Sequence, residues 1–216
     1  MGWIQFILAM LILAPASVVH ARQIQIVALG DSLTAGFGLP DSAAFPNVLQ
    51  RRLKEKGFDV LISNAGVSGD TTAGGLARLE WSTPAGTDLV IVELGANDML
   101  RNLPPSAARA NLDALLSNLH DRRIATVLAG MNSLANWGDR YRQEFESIYP
   151  DLSRKYVVPL YPFFLEGVTG RPELMLPDGL HPNAKGVERI VEGFLPFIEP
   201  VLIDRFGPPA ASATSK

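Results

Sequence analysis

A serine near one end of this chain and an aspartate and histidine near the other, Ser32, Asp178 and His181, are the side chains whose types could carry out nucleophilic catalysis together. Histidine is scarce, with 3 in the chain. His20 sits in an apolar N-terminal stretch, and His120 lies in Leu119-His120-Asp121-Arg122-Arg123, the expected end of a helix, where a solvated ring facing the helix dipole is the ordinary role. His181 is left as the candidate general base. Asp178 stands three residues before it, near enough across a tight turn to hold one ring nitrogen while the other faces a nucleophile. An Asp-x-x-His pair is equally compatible with a polar loop capping a helix that starts near Asn183. Ser32, after Leu29-Gly30-Asp31, is a candidate nucleophile at a strand-to-helix turn, or a plain turn residue. Acyl transfer also needs donors for a developing oxyanion. The backbone N–H of Gly69 and the side-chain amide of Asn97 could supply them, although each alone reads equally as a turn residue. Jointly, these residues fill a complete set of roles.

These positions share one feature of organisation. Short apolar runs alternate with segments of helical period, which indicates an α/β chain of βαβ units around a parallel sheet. The expected strands are Ile24–Leu29, Phe58–Ile62, Leu89–Leu94, Ala125–Gly130 and Val157–Tyr161, with only Asp59 and Glu93 charged, as for strands covered on both faces. A helix is expected over Ala44–Lys56, with Pro46 in its first turn and Gly57 past its end. Ala108, Leu112, Leu115, Leu116 and Leu119 mark a second amphipathic helix. Val187, Ile190, Val191, Phe194, Ile198, Val201 and Leu202 mark a C-terminal one, which Pro196 should kink or interrupt. Ligands of an open parallel sheet bind beyond the carboxyl ends of its strands, and the candidate residues all follow such runs.

Composition narrows the partners. The 216 residues are 47% hydrophobic and 19% charged, with a formal charge of -3 and no run of like charges, so a nucleic-acid partner is not expected and a small-molecule substrate is. The absence of Cys excludes disulfides, thiolate catalysis and Cys-ligated metals. Residues 1–21 read as a cleaved secretory signal. An apolar run from Trp3 to Ala16, shorter than the ~20 residues of a membrane span, is broken near its end by Pro15 before Val19-His20-Ala21, with small side chains at Val19 and Ala21. No Lys or Arg precedes that run. The chain is therefore expected to be exported, to the periplasm or the medium, without a stable membrane anchor after cleavage. Residues 22–206 form the expected single domain, and 207–216, rich in Pro, Ala and Ser, an expected disordered tail.

Gly30-Asp31-Ser32-Leu33, Gly69 in Ser68-Gly69-Asp70, Asn97 in Gly95-Ala96-Asn97-Asp98, and Asp178-x-x-His181 resemble the four sequence blocks of the SGNH hydrolases, also called GDSL esterases/lipases. The resemblance runs from Ile24 to about Leu202 and is greatest to the branch of bacterial periplasmic arylesterases and multifunctional thioesterases/lysophospholipases, whose first block continues as Ser32 to Gly38 does here. It implies a three-layer flavodoxin-like fold with a five-stranded parallel sheet of order 2-1-3-4-5. It implies Ser32 as nucleophile, His181 as base, Asp178 as its orienter, and an oxyanion hole of the Ser32 N–H, the Gly69 N–H and the Asn97 side chain. It implies neither metal nor cofactor.

Competing motifs are weaker. Thr34 stands where the Gly-x-Ser-x-Gly elbow needs its second glycine. Gly36-Phe37-Gly38 is a truncated dinucleotide fingerprint. Asp31, Asp70, Asp98 and Glu93 read as loop hydrogen-bonders, with Asp70 as a helix cap, rather than as metal ligands. The loop Met131–Gly138 with Phe163, Phe164 and Leu165 could line the acyl side of a cleft, through Met131, Leu134 and Trp137, or merely cover the core. The expected activity is serine esterase action on aryl and short- to medium-chain acyl esters, extending to thioesters or lysophospholipids. A carbohydrate O-deacetylase on the same scaffold and a non-catalytic flavodoxin-like binding domain are the alternatives.

Overall fold

The computed structural model describes residues 22–209, so the expected signal segment, residues 1–21, and residues 210–216 of the expected tail lie outside the described residues. Strands β1 (Ile24–Gly30), β2 (Val60–Gly66), β3 (Leu89–Glu93), β4 (Ala125–Ala129) and β5 (Leu160–Tyr161) form one sheet of order β2-β1-β3-β4-β5, parallel throughout. This is the order the resemblance implies. The residues of β3 are all buried and those of β1 and β4 nearly so, as covering on both faces requires.

Helices α1 (Ser32–Ala35), α2 (Phe45–Glu55), α3 (Thr72–Ala77), α4 (Leu79–Ser82), α5 (Ala96–Leu100), α6 (Pro105–Asp121), α7 (Asp139–Glu146), α8 (Ile148–Tyr156) and α9 (Ala184–Phe206) complete the layers. Right-handed crossovers place α2 on one face, where it packs against α9, and α6 on the other, against α3, α7 and α8. The anticipated stripe of α6, from Ala108 to Leu119, is buried without exception. On the other face Phe45 meets Phe164 and Phe194 edge-on, at 4.9 and 5.4 Å between ring centroids.

Three expectations are corrected. The second strand starts at Val60 rather than Phe58, because the Phe58 N–H closes α2 on the Leu53 carbonyl (3.1 Å), and it runs to Gly66 because β1 pairs with it that far. As an edge strand it is not covered on both faces, and Leu61, Ser63 and Asn64 are exposed. The fifth begins at Leu160, since Val157 ends α8 in a left-handed conformation (φ 53°). Finally, α9 is continuous through Pro196 and Pro200. A helical proline costs ~3 kcal/mol, but burying Phe194, Leu195, Ile198 and Leu202 is worth about 1.5–3 kcal/mol for each such side chain.

The end of β1 is crowded. A Cβ on Gly30 would stand 2.7 Å from the Glu93 carbonyl and overlap Thr34 Oγ1. Gly30→Ala is therefore expected to lower the unfolding free energy by about 1–3 kcal/mol, the usual cost of overpacking, in urea titrations followed by circular dichroism. Wild-type stability in that variant would show that the turn after β1 can relax.

Candidate active site

Asp31 follows the first strand and caps α1: its Oδ1 accepts the Leu33 N–H at 2.9 Å, which makes Ser32 the first helical residue, half-buried at the carboxyl edge of the sheet. The last loop folds over the same edge. His181 Nε2 stands 2.9 Å from Ser32 Oγ, across 149 residues of sequence, and His181 Nδ1 stands 2.7 Å from Asp178 Oδ2. Asp178 Oδ1 accepts the N–H groups of Leu180 (2.9 Å) and His181 (3.0 Å). The His181 side chain and these two backbone donors hold the Asp178 carboxyl down at about 2, so it is an anion at neutral pH. With that anion on Nδ1, the imidazole carries its proton there and turns an acceptor toward the Ser32 hydroxyl.

The loop bearing this pair is braced by backbone. Leu176 N–H donates to the His181 carbonyl (2.7 Å), and Met175 bridges Pro182. Asn183 caps α9 by accepting from the Lys185 and Gly186 N–H groups, and its Nδ2 donates to the Glu173 and Met175 carbonyls. Phe37 lies against the imidazole, ring centroids 4.4 Å apart.

The oxyanion candidates flank Ser32. Gly69 has φ +86° in a turn closed by Asp70 N–H to the Val67 carbonyl (3.0 Å), a conformation that favours glycine. Among the described residues, its N–H and that of Ser32 have no protein acceptor. Asn97 Nδ2 donates to Asp70 O (2.9 Å) and to Asp31 Oδ2 (3.0 Å).

Beneath Ser32 lie two buried carboxyls. Glu93 Oε2 accepts from Thr34 Oγ1 (2.7 Å) and, at 3.4 Å, from the Asp31 N–H, while its Oε1 is buried with no partner. Burial raises Asp31 to about 6, and burial with the neighbouring Asp31 charge raises Glu93 well above the carboxylate range. Of the two, Glu93 is the more deeply buried and the less well hydrogen-bonded, with one oxygen unpartnered.

The structure brings Ser32, Asp178, His181, Gly69 and Asn97 to one place. Of the residues expected along the cleft, two are withdrawn from it. Met131 and Phe164 are core residues, at 3% and 0% exposure: the chain leaving β4 and β5 turns inward, and Phe164 packs edge-on against Phe45. Leu134 is exposed; Trp137 and Phe163 are half-buried. Asp70 is not a helix cap: Thr71 accepts from the Gly74 N–H to start α3, and the Asp70 carboxylate pairs with Arg78. Sequence reasoning overlooked Phe37, Arg78 and the pairing of Thr34 with Glu93. Of these only the aromatic at 37 carried a signal, as a motif position. Among the described residues no group of three or more His, Asp or Glu side chains gathers as a metal site.

A profile of the GDSL-like Lipase/Acylhydrolase family matches residues 28–189. The chain is 42% identical over 172 residues to an arylesterase of Vibrio mimicus, covering 78% of this chain and 84% of that one. It is 36% identical over 183 residues to thioesterase 1/protease 1/lysophospholipase L1 of Escherichia coli (strain K12), covering 81% and 83%. Among solved structures it resembles AlinE4, an SGNH-hydrolase family esterase, with a TM-score of 0.70 and 45% identity over 83% of this chain and 97% of that one.

The buried carboxyls make stability depend on pH. An acid whose folded pKa is raised adds no penalty below its unfolded range near 4, and destabilises increasingly as pH rises toward its folded value. Replacing Glu93 by the neutral, nearly isosteric Gln should flatten the decline in unfolding free energy from pH 4 upward, measured by urea titration at a series of pH values. Parallel curves for Glu93→Gln and wild type would show that Glu93 ionises without penalty.

Proposed function

Because the chain belongs to the GDSL-like lipase/acylhydrolase family and is a carboxylic ester hydrolase, we propose that it acts through an acyl-enzyme on Ser32, with His181 as base and Asp178 as the group that orients it. The observation that carries this reading is the continuous hydrogen-bonded line Asp178–His181–Ser32. Ser32 Oγ attacks the ester carbonyl carbon while His181 Nε2 takes its proton. The tetrahedral intermediate collapses, the bond to the leaving oxygen breaks, and His181 returns the proton to the departing alcohol. Water, activated by the same imidazole, then releases the acid and regenerates Ser32.

The oxyanion is received by the N–H groups of Ser32 and Gly69 and by the Asn97 amide. One Asn97 hydrogen stays anchored on Asp70 O; the other, donated to Asp31 Oδ2, is shared with the oxyanion.

The acyl or aryl group is apolar in this reading. Phe37, Val67, Leu100, Leu103, Leu134 and Leu180 are exposed large hydrophobic residues, and all stand on segments that follow the carboxyl ends of strands. Such a rim favours aryl and short- to medium-chain acyl esters over acetylated sugars, whose hydroxyls it could not satisfy. Residues 1–21 are proposed to direct export and to be removed after Ala21. No helix of the described residues is long and apolar enough to cross a membrane.

Ser32→Ala should abolish both hydrolysis of p-nitrophenyl esters and covalent capture by an organophosphonate, read by intact-protein mass spectrometry, while leaving the fold intact. Capture that persists in Ser32→Ala would overturn the assignment. Trp137→Ala should shift the preferred length in a series of p-nitrophenyl esters, since each methylene buried in a fitting pocket adds ~0.8 kcal/mol until the pocket is full. An unchanged length profile would return Trp137 to the core.

A further inference from the structure

The proposed nucleophile and the oxyanion loop follow different strands, and one side chain ties them together. Arg78, between α3 and α4, donates Nη2 to the Gly30 carbonyl (2.8 Å), Nη1 to the Ala65 carbonyl (2.8 Å) and Ser82 Oγ (3.0 Å), and Nε to Asp70 Oδ2 (2.6 Å). Both members of the ion pair are largely enclosed, with side-chain exposures of 20% for Arg78 and 19% for Asp70. Gly30 lies two residues before Ser32, Ala65 is next to last in β2, and Asp70 directly follows Gly69. The Asp70 carbonyl in turn holds the Asn97 amide at 2.9 Å.

We propose that Arg78 is a positioning residue of the hydrolytic reaction, whose guanidinium sets the separation between Ser32 and the oxyanion donors Gly69 and Asn97. The inference rests on the catalytic roles proposed above. The ladder registers β1 against β2 as far as Gly30 and Gly66, one further backbone bond runs from the Val67 N–H to the Gly30 carbonyl (3.0 Å), and Ser68, Gly69 and Asp70 beyond it lie outside the ladder. A planar guanidinium holds its donors at fixed angles, so one group can meet two strand-end carbonyls and the Asp70 carboxylate together. Lysine, a single flexible ammonium, keeps the charge but not that geometry. Arg101 steadies the same loop from its other side, donating Nη2 to the Gly69 carbonyl (2.7 Å). Donors stabilise an oxyanion only where they are preorganised, so slackening this brace should slow turnover and leave substrate binding nearly unchanged.

The test compares Arg78→Lys and Arg78→Ala with wild type on p-nitrophenyl butyrate, alone and combined with Asn97→Ala, with near-ultraviolet circular dichroism as the check of fold. A positioning role predicts kcat lower by roughly 10- to 100-fold in both variants, with KM changed less than about threefold. It also predicts non-additivity: with Asn97 already truncated, Arg78→Lys should cost much less than in wild type, because part of what it aligns is gone. Millimolar methylguanidine should restore part of the kcat of Arg78→Ala. Wild-type kcat in a folded Arg78→Lys enzyme would overturn the proposal, as would strictly additive losses or a change confined to KM. If neither variant folds, Arg78 is a stability residue and the proposal fails. Absence of organophosphonate capture in the wild-type enzyme would instead overturn the underlying catalytic reading.

Discussion

One row of the sheet, Gly66–Gly30–Glu93–Ala129–Tyr161, runs side by side across all five strands at their carboxyl ends, and the site depends on that register. Parallel pairing repeats the same offset from strand to strand, so the strands stop on a common line and the segments leaving them converge. Ser32 stands two residues past this row on β1, and Asn97 four residues past it on β3. A slip of one residue in any pairing would turn buried side chains outward and withdraw one group from the crevice. The apolar packing that enforces the register, with Leu29, Val92 and Leu128 completely buried, is thus a requirement of the chemistry as much as of stability.

Next to this apolar frame the molecule buries polar groups with no apolar benefit. Asp31, Thr34 and Glu93 are enclosed below the turn that carries Ser32, and Glu93 leaves one oxygen unpartnered. An unmatched buried polar atom is destabilising, so the arrangement opposes stability at the point where the turn must be held. Its return is rigidity. Asp31 caps α1, Glu93 restrains Thr34 from behind, and Asn97 is held between Asp31 and Asp70. These groups beside Ser32 therefore have their orientation assigned before a substrate arrives, which is the condition for electrostatic stabilisation of a developing charge.

The proposed catalytic pair has a different support. Asp178 and His181 are close in sequence and form their hydrogen bonds within a single turn, so their mutual geometry is local. What is not local is their approach to Ser32. That depends on Asn183 stitching the loop to residues 173 and 175 while starting α9, and on α9 docking against α2 along its buried stripe. The prolines inside α9 are tolerated for the same reason, since docking outweighs what they cost the isolated helix.

Much of this was legible in the chain alone, and for a definite reason. The apolar runs, the helical stripes and the four short blocks are local patterns, set by side-chain type and spacing, and they suffice for a parallel α/β fold and for the residues gathered at its edge. The patterns failed wherever a residue's role is assigned by something distant in sequence. Phe58 reads as strand until its N–H is seen closing a helix, and Met131 and Phe164 read as cleft until the hydrophobic core claims them. Asp70 reads as a cap until Arg78 is found beside it. Arg78 itself carries no local sign of importance, because its partners Gly30, Ala65 and Asp70 become neighbours only when two strands lie in register. Sequence determined which chemistry the chain can perform and on what kind of scaffold. Tertiary packing alone decided which polar side chains hold that chemistry in place, since burial and hydrogen-bond partnership belong to positions in space rather than to positions along the chain.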